Sequence, residues 1–138
     1  VASLQQRVRE EQGLALDPFE SSGVLDGREL KELMLRKYGV CYDMNFKCVS
    51  LPLKRVLSLN VMWSYMGQKS FPLSESEYEM KLDGIAQMVR QLNRESVVRE
   101  FFAKEPKAER GLPAYPNVGT AVIIRFPDLD DAIINEYF

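Results

Sequence analysis

Between Leu57 and Tyr65 apolar and polar side chains alternate. Leu57, Leu59, Val61, Trp63 and Tyr65 fall on one side of an extended chain, Ser58, Asn60 and Ser64 on the other, and this predicts a half-buried strand. Val40, Tyr42, Met44, Phe46 and Cys48 alternate in the same way with Cys41, Asp43, Asn45 and Lys47. The short Pro52-containing connection over 50–55 predicts that the two runs form an antiparallel hairpin. Trp63 and Tyr65 are then expected to share its buried face with Tyr42, Met44 and Phe46.

Helical spacing takes over on either side. Leu30, Leu33, Met34 and Tyr38 trace one stripe, with Asp26 and Glu29 as a capping box, Leu25 and Leu30 as a hydrophobic staple and Gly39 as the stop, so a helix is expected over about 27–38. Ser74 with Glu77, and Leu73 with Tyr78, repeat that start before Tyr78, Leu82, Ile85, Val89 and Leu92. Gly84, inside this second stripe, implies either close packing or simple tolerance, since glycine costs about 1 kcal/mol against alanine there. Asn93-Arg94-Glu95 breaks the run, and Ser96 is expected to cap a short helix carrying Val97, Val98, Phe101 and Phe102.

Lys104 to Asn117, with three prolines and clustered charge, reads as a loop. Thr120 to Phe126 has β-branched strand content with weak alternation, which predicts burial on both faces, from a central place in the sheet or a cover from a neighbour. The segment after Pro127 opens on Asp128, Asp130 and Asp131 and closes on Ile133, Ile134, Tyr137 and Phe138, as a short helix with acids at its positive end would. Leu4 and Val8, four apart in a polar stretch, suit a short, weakly amphipathic helix, and 13–23 reads as a linker. The expected organisation is an N-terminal extension over 1–24, one domain over 25–126 and an acidic, aromatic extension over 127–138. Its fold class is α+β: a small, mostly antiparallel three-stranded sheet, made of the hairpin and the later strand, with helices packed on one face.

Composition narrows the chemistry. The 138 residues carry a net charge of −2, which gives no electrostatic drive toward non-specific nucleic-acid binding. No apolar run approaches the roughly 20 residues that span a bilayer. The stretch from Val1 lacks the charged and apolar regions of a signal peptide, although a targeting segment could have been removed before it. The chain has no histidine, which removes the commonest general base and neutral metal ligand and rules out Ser-His-Asp, Cys-His and Cys/His zinc arrangements within it. Cys41 and Cys48, on one strand, would sit roughly 23 Å apart, too far for a disulfide, so two reduced thiols and a reducing compartment are expected. A redox role would need a lowered thiol pKa, for which Lys47 is the one obvious neighbour.

Asp128, Asp130 and Asp131 read as helix-terminal charge rather than a cation site, because the glycine and distal glutamate of a calcium loop are missing. No catalytic residue, metal site or cofactor is expected. Lys47, Lys54, Arg55 and Lys69 near Tyr65 and Phe71 form the pattern that could hold single-stranded RNA. Aromatic anchors favour protein interfaces, and the partner-binding candidates are Leu4, Val8, Trp63, Lys69, Phe71, Tyr137 and Phe138. For Tyr137 and Phe138, docking into a partner and docking back onto the sheet are equally open.

Four blocks resemble a cyanobacterial and plastid family catalogued as domain of unknown function 3067. They are Leu25-Asp26-Gly27-Arg28-Glu29-Leu30; Tyr38-Gly39 with Tyr42-Asp43; Leu59-Asn60-Val61-Met62-Trp63-Ser64-Tyr65; and Ser70-Phe71-Pro72-Leu73-Ser74 with Glu77-Tyr78. The resemblance spans roughly 25–126, and its most specific part is Val61-Met62-Trp63 to Tyr78. It implies a photosynthetic organism and, in a eukaryote, a plastid stroma or the stromal face of the thylakoid. It brings no activity and no catalytic residues. The expected function is a non-enzymatic interaction module, an accessory subunit or assembly factor of a photosynthetic membrane complex. An RNA- or ribosome-associated factor and a thiol-redox protein are the alternatives. Any membrane association is expected to run through a protein partner, and the 50–55 connection is longer than the resemblance leads one to expect.

Overall fold

A computed structural model describes residues 23–138. The expected helix over 1–12, the linker up to 22 and the candidates Leu4 and Val8 lie outside the described residues. Within them the order is α1 (Gly27–Tyr38), β1 (Tyr42–Ser50), β2 (Arg55–Tyr65), α2 (Glu75–Gln91), α3 (Glu95–Ala103), β3 (Val122–Phe126) and α4 (Asp131–Tyr137).

The helix ends follow local chemistry. Asp26 Oδ1 accepts the Glu29 N–H at 2.8 Å, and Gly39, at φ 86°, donates its N–H to Leu35 O at 2.9 Å in the left-handed stop expected of it. The box at this end is only half made. Glu29 turns its carboxylate away from Asp26 to clasp Arg99 of α3, at 2.8 and 2.9 Å, because a bidentate guanidinium partner outcompetes one backbone N–H. At α2 both halves form: Ser74 Oγ accepts the Glu77 N–H at 3.1 Å and Glu77 Oε1 accepts the Ser74 N–H at 2.8 Å. The expected Ser96 cap is corrected. α3 starts two residues earlier, Arg94 is its N-cap without a side-chain hydrogen bond, and the break is made by Asn93 in the left-handed region, at φ 61°.

The sheet has β2 in the centre and β1 and β3 antiparallel on its two sides. Cys48, Leu57 and Phe126 lie abreast, as do Phe46, Leu59 and Ile124, and Met44, Val61 and Val122. Directly opposed residues project to the same face, and these three rows face the helices. Leu57, Leu59 and Val61 are fully buried there among Leu30, Met34, Tyr78, Leu82, Val89, Val98 and Phe102. The Tyr78 hydroxyl, at the edge of this core, donates to Tyr42 O at 2.6 Å and ties α2 to β1.

Three sequence expectations change. β3 is an edge strand, not a central one; Ile123 on its outer face is half-buried by the neighbouring Asn60 rather than by a second layer, which is how a β-branched run sits at an edge. Residues 127–138 are no appendage, since Leu129 and Ile134 are buried in the same core and apolar side chains of a terminal helix bury wherever the sheet leaves room. Trp63 and Tyr65 do not join that core. Tyr42 pairs with Tyr65 but Met44 pairs with Val61, so the ladder slips between them, and both Trp63 and Tyr65 remain half-buried outside it.

Gly84 is exposed, and a β-carbon built on it meets nothing within 4 Å, so tolerance and not packing explains it. Gly84→Ala is therefore expected to stabilise the fold by about 0.5–1 kcal/mol, read as a higher urea midpoint at unchanged slope.

Candidate docking surface

All four helices lie on the side of the sheet that carries the buried rows. Among the described residues none covers the other side. Two rows cross that open face: Lys47, Ser58 and Arg125, and Asn45, Asn60 and Ile123. Strand spacing sets the Cα atoms of Lys47 and Arg125 roughly 10 Å apart, on either side of Ser58. The Ser58 hydroxyl donates to Asn60 Oδ1 at 2.9 Å, which fixes the polar centre between them. Lys47 and Arg125 are exposed and make no ion pair among the described residues.

The strands and the hairpin tip together hold four bases, Lys47, Lys54, Arg55 and Arg125, against a single acid, Asp43. Lys81 of α2 neutralises that acid at 2.9 Å. Carboxylates gather instead on the helices, and of these bases Lys47 and Arg125 stand on the open sheet face while Arg55 turns to α4. The signal for that face in the sequence was Arg125, a lone charge inside an apolar strand. Only the register shows that it lies level with Lys47.

At the far end of the hairpin, Leu51 donates its N–H to Lys54 O at 2.8 Å and closes the tip. Leu53 there is 96% exposed, beside exposed Val49, Leu51 and Pro52. The stem is braced by α4: Asp131 Oδ1 accepts the Arg55 N–H at 3.0 Å, and the Arg55 guanidinium donates to Asn135 Oδ1. Phe138 rests on Phe46 with ring centroids 5.3 Å apart but keeps 40% of its surface exposed, and Tyr137 is similarly open. Phe138 is thus docked back on the sheet in part, with the rest of its ring open.

The remaining candidates do not form one patch with these. Lys69 is exposed and Trp63 half-exposed, near the Tyr65 end of β2. Phe71 packs on the core edge-to-face with Tyr78 at 5.5 Å, so its role there is structural. Along β2, Trp63 lies four residues, roughly 13 Å, from Leu59, the partner of the Phe46 on which Phe138 rests, and Lys69 lies farther still. Lys69 is likewise at the opposite end from Lys54 and Arg55, so the four bases of the RNA pattern share no track, and the two open rows carry no aromatic side chain for base stacking.

The cysteines are two free thiols. Cys41 is buried, its thiol contacts Lys31 O at 3.7 Å, and burial pushes it up, away from thiolate chemistry. The three aspartates part company. Asp130 caps α4 through the Ile133 N–H at 3.0 Å, Asp131 holds Arg55, and Asp128 pairs with Arg94 at 3.3 Å. At the opposite end of β2, a cluster of edge-to-face rings, Tyr65 on Tyr42, Tyr42 on Tyr38 and Tyr38 on Tyr115, joins the loop after α3 to the sheet. Burial pushes the Tyr38 phenol far up.

Comparison with known proteins then gives the family. The family described as Domain of unknown function (DUF3067) matches residues 28–138. The chain belongs to that family. The DUF3067 match runs through α4, in agreement with the burial of Leu129 and Ile134. Among solved structures, the solution NMR structure of the Alr2454 protein from Nostoc sp. strain PCC 7120 is similar, with a TM-score of 0.59 at 34% identity, covering 82% of this chain and 96% of that one. No curated protein matches. A structure similar to this α+β fold thus comes from a cyanobacterium, in keeping with the cyanobacterial side of the resemblance. No helix among the described residues is long and apolar enough to cross a membrane.

Proposed function

We propose that this DUF3067 chain is a non-enzymatic protein-interaction module, an accessory subunit or assembly factor that docks on the stromal side of a plastid photosynthetic membrane complex. The observation that carries the reading is the uncovered sheet face with Lys47 and Arg125 flanking Ser58, free of carboxylates and of ion pairs among the described residues. Such a face suits a partner whose surface is acidic, since complementary potential steers docking and fixes register. The photosynthetic setting is supported by the resemblance to cyanobacterial and plastid chains and by the relative from Nostoc. A protein partner is favoured over RNA because the open rows offer hydrogen-bonding and charged side chains but no stacking platform. The setting of Cys41 gives no support to the thiol-redox alternative.

The test is co-purification of the tagged chain from gently solubilised thylakoid membranes, with cross-linking through Lys47. The chain is expected to run in a complex well above its monomer mass and to cross-link to an acidic subunit surface. Lys47→Glu with Arg125→Glu is expected to cut recovery about tenfold or more at low salt. A chain that runs alone at monomer size, or a double variant recovered as well as the parent, overturns the reading. So does cross-linking to plastid RNA in place of protein.

A further inference from the structure

We infer that the tip of the β1–β2 hairpin is a membrane-surface anchor, seated directly in the headgroup region of a bilayer that carries anionic lipid. This goes beyond docking on a protein partner and uses a different part of the molecule. The tip leaves the sheet. The last row in which all three strands pair is Cys48, Leu57 and Phe126; beyond it α4 braces the hairpin at Arg55, and only the tip, roughly 5–7 Å to Leu53, stands free. That reach matches the 5–10 Å depth, approximately, at which interfacial elements sit in a bilayer.

Chemistry along the tip is layered in the same sense. Val49, Leu51, Pro52 and Leu53 are all exposed, with Leu53 as open as in an unfolded chain, and only Ser50 is polar among these five successive positions. Behind them come Lys54, then Arg55 and Lys47; no carboxylate occurs in the chain from Met44 to Ser58, and the one that reaches the stem, Asp131 of α4, sits at Arg55 behind Lys54. An apolar point backed by cations is the arrangement that places methyl groups among acyl chains and ammonium groups among lipid phosphates. Leu53 and Pro52 would have no use against RNA, and a protein pocket would not need the cations behind them. The closing Leu51–Lys54 hydrogen bond and the bracing of Arg55 by Asp131 hold the tip in shape, so ordering it at a surface costs little.

Flotation of the purified full chain with extruded vesicles tests this, using phosphatidylcholine alone and phosphatidylcholine with about 30% phosphatidylglycerol. No protein is present in the vesicles, so the result is independent of the proposed complex. Binding is expected to the anionic vesicles at low salt, to weaken as salt is raised and to be slight on phosphatidylcholine alone. Leu53→Asp, at a position that contributes nothing to the core, is expected to lower binding about tenfold or more and Lys54→Glu about fivefold, with unchanged circular dichroism. Leu53→Trp is expected to strengthen it. Failure to float with anionic vesicles, or flotation unaffected by Leu53→Asp, overturns the anchor. Loss of flotation in Leu53→Asp with co-purification intact would uphold the anchor and leave the docking face standing as a separate contact.

Discussion

Gly27→Ala is expected to destabilise the domain by about 2–3 kcal/mol, although alanine is the better helix former by up to about 1 kcal/mol. Gly27 opens α1 at the point where it crosses α2. A β-carbon there would stand 2.6 Å from Asp83 Oδ1, 2.7 Å from the Asp83 backbone nitrogen and 3.0 Å from the Leu82 carbonyl carbon. The side-chain oxygen could swing aside, but the backbone atoms belong to the middle of a helix and cannot yield alone. Movement of α1 would also break the bond from the Gly27 N–H to Asp83 Oδ1, 2.9 Å long, and loosen Leu25 and Leu30, both fully buried. Overpacking of this kind costs about 1–3 kcal/mol and a lost hydrogen bond about 1 more. Urea titration should show a lower midpoint at unchanged slope. Gly84→Ala, one residue beyond Asp83 in the same helix, should shift it the other way, and equal signs for the two would refute the close-crossing argument.

The second large effect is expected at Ile134→Ala, with a loss of about 2–4 kcal/mol. Ile134 is fully buried in α4, a helix of seven residues that cannot hold itself together without tertiary contacts. Removing three carbons leaves a void beneath it and weakens the helix whose Asp131 braces Arg55. If α4 belongs to the core, unfolding remains one transition seen equally by near-ultraviolet and far-ultraviolet signals. A variant as stable as the parent, or a separate early transition of α4 in the parent, would show the last dozen residues to be peripheral.

Local chemistry made much of this architecture legible. The caps at Asp26 and Ser74, the stop at Gly39 and the two alternating runs of the hairpin are short-range signals, and each element formed where its signal lay. What was not legible depends on residues far apart. That Glu29 would serve Arg99, seventy positions on, rather than its own helix start is decided by the packing of α1 against α3. The edge position of β3 escaped detection because an apolar strand without clear alternation is also what a central strand looks like. The slip between Tyr42 and Met44 is one irregular step of two residues on β2; it leaves Tyr65 opposite Tyr42, yet Trp63 and Tyr65 end outside the buried core that strict alternation assigns them. As for the candidate surface, its members were visible singly and its grouping was not. Lys47 and Arg125 become neighbours only through β2, and Lys69, close to them in reading order, ends up at the other end of the sheet.

Trp63 is the chain's sole indole, and it is partly buried outside the core, at the irregular end of the central strand. Its fluorescence emission should accordingly shift further to the red when the fold melts. The same probe should respond by a blue shift whenever another molecule covers that end of the sheet, which gives the protein an intrinsic optical sensor that separates contact from unfolding by the sign of its shift.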